Sequence, residues 1–164
     1  MKKTMMTLCA LGLMFAGCSK QSGSDNPLLQ EWDTPFQTAP FEKIKVEHYL
    51  PAFEEGIREA KAEIDAIVAN QDEPTFENTI EAMEYSGQKL SKVASIFYAL
   101  MEANTNEQMQ EIAEIISPKL TEYSMYVSLN NDLFQRVKAV YEKKDELGLE
   151  KDQMTLLEDN YKGF

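Results

Sequence analysis

The single histidine, His48, is the side chain best suited to metal chemistry in this sequence. A zinc site of the helical type needs two histidines one turn apart, with a glutamate between them as general base. One histidine cannot supply that pair, and the sequence around it is Glu47-His48-Tyr49-Leu50-Pro51, at the start of a predicted helix. We therefore expect His48 to be a surface or boundary residue rather than a metal ligand. We predict no catalytic residue and no metal-binding residue in this sequence.

Cys18 is the residue for which the sequence predicts a modification. Residues 1–17 have two lysines directly after Met1 and continue in an apolar run too short to span a bilayer stably, which predicts a signal peptide. The run ends in Phe-Ala-Gly-Cys, which is similar to the lipobox of bacterial lipoproteins, so Cys18 is the predicted lipidation site. The alternative is an ordinary secretory signal in which Cys18 is incidental.

The lipobox predicts a location as well as a modification. The chain would be lipid-anchored in the bacterial cell envelope, on the outer membrane facing the periplasm or the surface. Residues 18–26 (CSKQSGSDN) are polar and suit a flexible tether between the lipid and a folded domain. Residues 27–164 would then form a single domain.

The charge excludes one class of partner and leaves two interpretations of an acidic row. The net charge is −12, which repels nucleic acids and anionic lipids, so we predict no nucleic-acid binding. Glu54, Glu55, Glu59 and Glu63 recur along one predicted helix. They could attract cationic peptides, or they could be the solvated face of an amphipathic helix.

The hydrophobic pattern predicts an all-α fold, because no strand-period segment is longer than a few residues. We expect a helical bundle of about five helices, preceded by an extended proline-containing arm at 27–45. The helices are predicted at about 46–70, at about 75–103, after a Thr105–Gln108 capping box, after the Asn130 cap and from about Lys151. The fourth would run through Leu147 and stop at Gly148.

Particular side chains are predicted to join these elements. The arm should lie against the helices through its apolar residues Trp32, Phe36, Phe41 and Ile44, with Trp32 as its anchor rather than a ligand-binding residue. Gly56 and Gly87 fall inside predicted helices, where each costs about 1 kcal/mol relative to alanine. Close approach of two helices would explain both glycines.

One phrase of the sequence is specific enough to indicate a family. Residues 74–90 (PTFENTIEAMEYSGQKL) resemble the zinc oligopeptidase family that includes thimet oligopeptidase, oligopeptidase A and bacterial dipeptidyl carboxypeptidase. The resemblance continues in family order through 40–57 (PFEKIKVEHYLPAFEEGI), 103–112 (ANTNEQMQEI), 129–149 and 156–164. It covers roughly 26–164 and is greatest with the dipeptidyl carboxypeptidase branch. It implies the N-terminal helical lobe of a larger peptidase.

The resemblance also implies a cofactor, substrates and a channel. Family members use zinc bound by His-Glu-x-x-His, which is absent here, so zinc belongs to the full-length enzyme and none is expected in this chain. Their substrates are short peptides, and this lobe forms one wall of the channel that admits them. Seven aromatic residues could line that wall or could pack in the core: Tyr85, Phe97, Tyr98, Tyr123, Tyr126, Phe134 and Tyr141.

Two functions follow from this sequence. The first is the substrate-channel lobe of an extracytoplasmic zinc metallopeptidase, a peptidyl-dipeptidase or oligopeptidase, inactive alone for lack of the zinc motif. The pattern ends at Phe164 without a helix stop or polar tail, which predicts C-terminal truncation. The alternative is a non-catalytic helical lipoprotein that binds peptides or a partner protein.

Overall fold

A computed structural model describes residues 25–164. The predicted signal peptide, Cys18 and the tether up to Ser24 lie outside the described residues, so the lipidation site remains a prediction. Asn26 is within the folded part: its side chain is buried, donates to the His48 carbonyl at 2.8 Å and accepts from the Leu28 amide at 3.0 Å. No helix within 25–164 combines the length and apolar character needed to cross a bilayer.

The described residues form an all-α bundle without strands, which confirms the predicted fold class. Its five main helices are α1 (Tyr49–Ala69), α2 (Gln88–Asn104), α3 (Glu107–Ser128), α4 (Asn131–Tyr141) and α5 (Lys151–Lys162). Shorter helical segments are Pro35–Gln37, Val46–His48, the π-helical segment Phe76–Glu81 and one α-turn, Ala82–Glu84.

The long helix α1 is the centre of the bundle because its apolar residues recur every three or four positions. Its first half packs with the arm, α2 and α3 around the fully buried Phe53 and Phe97. Its second half meets α4 through Ile64 and Leu133. A neighbouring cluster joins the π-helical segment to α4 and α5 around Leu157.

The arm is held only in part by the predicted residues, because Trp32 and Ile44 contact the rest of the fold but the two phenylalanines do not. Phe36 is fully exposed and Phe41 half-exposed, so the expectation that both pack on the helices was wrong. Leu28 supplies the buried apolar contact instead. Trp32 does anchor the arm: its indole donates to the Pro27 carbonyl at 2.7 Å, and the Lys92 ammonium lies 3.5 Å from its ring centroid.

The prediction of one continuous second helix was wrong. The π-helical segment and its α-turn end at Glu84, and α2 begins after Gly87, whose φ of +69° is left-handed. Glycine adopts that conformation at little cost, so it breaks the helix here. Gly56, by contrast, fits its predicted role: a Cβ there would lie 3.0 Å from the Leu90 Cα, so α1 and α2 meet at this glycine.

Two further boundaries differ from the predicted ones. Asn106, not Thr105, caps α3, because its side chain accepts the Met109 amide at 3.0 Å. The fourth helix ends at Tyr141 rather than near Gly148, and residues 142–148 form turns. Leu147 is 39% exposed, so the sequence after Tyr141 has little apolar surface to bury as helix. The Asn130 cap is confirmed, with its side chain accepting the Leu133 amide at 3.0 Å.

Candidate functional site

The break before α2 is held by a side chain from α1. The Glu63 carboxylate accepts the backbone N–H of Gly87 at 2.6 Å. This amide precedes the first turn of α2, where backbone N–H groups lack partners within the helix. A carboxylate is a strong acceptor for such a group and is favoured by the positive end of the helix dipole. The bond therefore fixes where α2 starts relative to α1.

Tyr123 of α3 lies beside the same break. A Cβ on Gly87 would sit 3.5 Å from the Tyr123 hydroxyl. Burial raises the pKa of Tyr123, and the negative charge of Glu63 raises it further, while a hydrogen bond with Ser86 opposes the shift. The Ser86 hydroxyl also donates to the Met83 carbonyl at 2.7 Å. At neutral pH the Tyr123 phenol is therefore protonated and can form hydrogen bonds beside the break before α2, which we call the junction.

A cleft of about 350 Å³ opens next to this junction. It lies between the Ala82–Glu84 turn, α3 and α5, and most of its lining is apolar. Its lining residues are Met83, Tyr123, Ser124, Val127, Ser128, Asn160, Gly163 and Phe164. Apolar walls with a few hydroxyl and amide groups are typical of sites that bind small ligands. This junction cleft is the candidate functional site within residues 25–164.

The acidic row of α1 is engaged within the chain. Glu59 pairs with Lys89 of α2, and Glu54 pairs with Lys119 of α3 at 2.5 Å. Glu55 binds Arg58 on its own helix, at 2.5 Å and 2.9 Å. With Glu63 on Gly87, three of the four carboxylates link α1 to other parts of the bundle. Neither of the two interpretations of the acidic row predicted these links between helices. Because the carboxylates are already engaged, the acidic row is a poor site for cationic peptides.

The phrase at 74–90 forms a hydrogen-bonded cap centred on Asn78. The Thr75 hydroxyl accepts the Asn78 amide at 3.1 Å, and the Asn78 side chain accepts the Thr75 amide at 2.9 Å. Thr75 therefore caps the N-terminus of the π-helical segment. The guanidinium of Arg136 on α4 donates to the Asn78 side chain at 3.1 Å and to the Asn70 carbonyl at 2.7 Å. These bonds tie the α1–π-segment connection to α4.

The candidate aromatic residues do not converge on one surface. Phe97 is buried against Tyr49 and Phe53. Phe134 and Tyr141 pack against Tyr161 of α5, with the two tyrosine rings stacked 3.9 Å apart. The remaining members differ in exposure: Tyr123 and Tyr126 are half-buried, Tyr98 is 36% exposed and Tyr85 is 66% exposed. Packing is thus the role of most of the set, and Tyr123 is the member that lines the junction cleft.

Comparison with known proteins identifies relatives of this bundle. Dipeptidyl carboxypeptidase from Salmonella typhimurium (strain LT2) is 42% identical over 135 residues, which is 82% of this chain and 20% of the relative. The Escherichia coli (strain K12) dipeptidyl carboxypeptidase is 41% identical over 133 residues, 81% of this chain and 20% of the relative. The chain belongs to the dipeptidyl carboxypeptidase family.

The family has a second branch among the relatives. Escherichia coli (strain K12) oligopeptidase A is 29% identical over 110 residues, which is 67% of this chain and 16% of that protein. No family model matches the chain. The chain spans about one fifth of the length of the dipeptidyl carboxypeptidases it matches, in their N-terminal part. The resemblance drawn from residues 74–90 is therefore confirmed.

The described residues do not fit the zinc site that the dipeptidyl carboxypeptidase family implies. His48 lies where the arm meets α1, and its Nδ1 accepts a hydrogen bond from the Lys45 amide at 3.0 Å. Within residues 25–164, no three histidine, cysteine, aspartate or glutamate side chains group closely enough to hold a metal ion. The junction cleft presents apolar side chains with a few hydroxyl and amide groups.

Sequence reasoning missed the residues that hold this region together. Arg136 sits on the buried face of α4, and an arginine among apolar positions was the available signal. Gly87 directly after Ser86 could have indicated a break instead of a close helix contact. The pairing of Glu63 with Gly87 left no signal, because it joins residues far apart in sequence.

Proposed function

We propose that this chain is the N-terminal lobe of an extracytoplasmic zinc metallopeptidase that hydrolyses short peptides. The observation that carries the proposal is the 42% identity to a dipeptidyl carboxypeptidase over 82% of the chain. Identity of that extent supports a shared fold and role for the lobe. The similarity to dipeptidyl carboxypeptidase supports a peptidyl-dipeptidase, and the similarity to oligopeptidase A supports an oligopeptidase as the broader description.

In this proposal the lobe positions peptides and supplies no catalytic group. The junction cleft, with Tyr123 and apolar side chains in its walls, suits contact with a short peptide. The zinc, its ligands and the general base would lie in a catalytic part carrying His-Glu-x-x-His, a motif absent from these 164 residues. The chain alone would therefore be inactive towards peptides.

The first test is the gene sequence after codon 164. An open reading frame that continues to His-Glu-x-x-His is the expected result. A stop codon at that position in an intact operon would overturn the proposal and favour a non-catalytic lipoprotein that binds peptides or a partner.

The second test is direct. We expect the purified chain to retain no stoichiometric zinc by atomic absorption and to release no dipeptide from an N-blocked oligopeptide. Dipeptide release that persists through repurification and stops with a chelator would contradict the assignment of catalysis to another part of the enzyme.

The location of the lobe is also a proposal. A diacylglycerol on Cys18 would hold it in the cell envelope, as the lipobox-like sequence at 15–18 suggests. We expect radiolabelled palmitate to be incorporated into the wild-type chain and into Cys9→Ser, the matched control, and to be lost in Cys18→Ser. Equal labelling of Cys18→Ser and the wild type would refute lipidation at this site.

A further inference from the structure

A polar pocket lies between the arm and α2. Its volume is about 440 Å³, and it is lined by Glu31, Trp32 and Gln37 of the arm and by Lys92 of α2. Two of these side chains carry opposite charges, one is an aromatic ring and one is an amide. We call this cavity the arm pocket. Its chemistry differs from that of the junction cleft, in which no lining side chain is charged.

Lys92 brings to the arm pocket a positive charge that no carboxylate pairs with. Its ammonium lies 3.5 Å from the centroid of the Trp32 ring and donates to the Gln30 carbonyl at 3.0 Å. Among the described residues it forms no ion pair. Burial lowers the pKa of Lys92, and the negative charge of Glu31 opposes this shift only in part. The ammonium is therefore partly removed from water without a bound anion to compensate it.

Glu31 supplies the opposite charge on the same pocket. Its side chain is exposed and its charge acts on Lys92, yet the two do not form an ion pair with each other. An anion alone would be repelled by Glu31, and a cation alone would be repelled by Lys92. An apolar ligand would remove both charges from water without replacing their hydrogen bonds. A molecule that carries both charges satisfies both side chains.

The backbone of the arm is strained where it brings Gln37 to the pocket. Phe36 and Gln37 have φ of +59° and +53°, in the left-handed region that residues other than glycine rarely adopt. The Thr34 hydroxyl donates to the Thr38 carbonyl at 2.5 Å, and the Gln37 amide donates to the Thr34 carbonyl at 2.9 Å. Strain of this kind is concentrated at binding and active sites, where the surrounding structure holds it. The exposed Gln37 side chain thus adds a neutral amide to the two charges.

We propose that the arm pocket binds a small zwitterion, either a free amino acid or a dipeptide. The Lys92 ammonium has three N–H donors, so it can bind the ligand's carboxylate and keep the Gln30 carbonyl. The ligand's ammonium would donate to the Glu31 carboxylate. Trp32 would keep its anchoring role, with its ring as one wall of the pocket. The pocket is formed by the arm and α2, so the proposal does not rest on the peptidase assignment.

The fluorescence of Trp32 reports binding, because it is the only tryptophan in the sequence. We expect alanylalanine, a dipeptide with both termini free, or alanine to change this fluorescence saturably, with isothermal titration calorimetry giving the same dissociation constant. Tighter binding of alanine would assign the pocket to an amino acid, and tighter binding of alanylalanine would assign it to a dipeptide. If neither ligand gives a saturable change, the proposal is overturned.

Blocked ligands test the two charges separately. The N-acetylated form of the tighter ligand lacks the ammonium, and the C-terminal amide lacks the carboxylate. Each should bind at least about tenfold more weakly than the free ligand, because one hydrogen bond between charged groups is lost. If the N-acetylated form binds as tightly as the free ligand, Glu31 is not a contact. Equal binding of the amide would exclude Lys92 in the same way, and either result would refute a zwitterion site.

Glu31→Gln locates the contact with the ammonium. It nearly preserves the shape of the side chain and leaves the Trp32 anchor unchanged. We expect it to weaken binding of the free ligand about tenfold and to leave binding of the N-acetylated form as in the wild type. A general disturbance of the arm would weaken both. Glu42→Gln, an exposed arm residue outside the pocket, is the matched control and should bind both forms as the wild type does. Equal affinity of the two variants for the free ligand would contradict the proposal.

Lys92→Met tests the contact with the carboxylate. It should lose the preference for the free ligand over its amide, whereas a retained preference would exclude Lys92 as the carboxylate's partner. Lys92 also contacts Trp32 and the Gln30 carbonyl, so this variant can release the arm, which a changed Trp32 emission without ligand would show. In that case Glu31→Gln and the blocked ligands, which leave the arm in place, still decide the outcome.

Discussion

The Glu63 carboxylate and the Gly87 amide, 24 residues apart, are joined by a hydrogen bond of 2.6 Å. The bond places a negative charge from α1 at the start of α2. It lies beside the Tyr123 hydroxyl and the cleft lined by Met83 and Tyr123. The position of α2, and with it one edge of the candidate site, therefore depends on a contact between two helices rather than on the local sequence.

Removing this acceptor should destabilise the bundle. Glu63→Ala leaves the Gly87 amide without its partner, and we expect the free energy of unfolding to fall by about 1–2 kcal/mol. Glu63→Gln keeps an oxygen acceptor and should cost less. Urea denaturation followed by circular dichroism measures both. Glu84→Ala is the control, because the exposed Glu84 side chain forms no hydrogen bond or ion pair among the described residues. A Glu63→Ala variant as stable as Glu84→Ala would show that the hydrogen bond contributes nothing.

Gly87 should resist replacement because of its backbone conformation. Alanine at φ +69° costs about 1–2 kcal/mol, since its Cβ crowds the following carbonyl. The added Cβ itself would meet only ordinary contacts, at 3.5 Å and 3.6 Å. Gly148 has a φ of +63° and open space around it, so Gly148→Ala is the matched control. We expect similar losses in thermal denaturation, whereas a much larger loss at Gly87 would mean that packing dominates.

Arg136 should be the most sensitive charged residue of the bundle. It is 9% exposed and donates to Asn70, Asn78 and, at 3.4 Å, the Asp72 carbonyl. Arg136→Met would leave these acceptors without the guanidinium, and we expect a loss of about 2–4 kcal/mol. Lys138→Met, two residues along α4, removes a cation from a largely solvated pair at 3.7 Å. It should cost less than about 1 kcal/mol by the same denaturant assay, and equal losses would contradict the role given to Arg136.

The contributions of Asn106 and Thr105 to the N-cap of α3 can be compared directly. Asn106→Ala removes the acceptor of the Met109 amide and should cost about 1 kcal/mol. Thr105→Ala, at the residue predicted from sequence as the cap, should be nearly neutral. Chemical denaturation of the two variants measures the free energy of unfolding of each and shows which residue caps α3. A larger loss for Thr105→Ala would restore the cap predicted from sequence.

Stability should fall in acid through the paired carboxylates. A hydrogen bond from Lys143, with its charge, lowers the pKa of Glu73, and Lys162 does the same for Glu158. Both pKa values lie below the ordinary 4.5, so the folded state holds these protons less tightly than the unfolded state. The stabilisation is therefore complete above pH 4.5 and is lost as the pH falls through the lowered pKa values.

The melting temperature should accordingly be level above about pH 5 and fall below it. Glu158→Gln should lower it slightly at neutral pH and make the fall in acid shallower, because that carboxylate no longer titrates. Glu84→Gln replaces an exposed glutamate that forms no ion pair among the described residues and serves as the control. If the melting temperatures of the wild type and Glu158→Gln depend on pH in the same way, the Glu158–Lys162 pair makes no contribution to the loss of stability in acid.

The comparison of predicted and observed elements shows where local information is sufficient. Asn130 was predicted correctly because a cap needs only an acceptor side chain and the next few amides. The fourth helix was predicted too long, because its end depends on whether Leu147 has anything to pack against. At the candidate site, Tyr123 was among the predicted aromatic residues, but its neighbours Met83 and Val127 were not singled out, because they come from separate segments.

By itself the sequence determined the all-α class, the family and the apolar faces of the helices. These depend on periodicity, on short-range capping and on a phrase of residues that is contiguous in the chain. Only the tertiary structure decided that Gly87 breaks a helix, that Glu63 holds that break and that the acidic row of α1 is used within the bundle. The physical reason is that a side chain's partner depends on which helices pack together, and residues distant in sequence decide that packing.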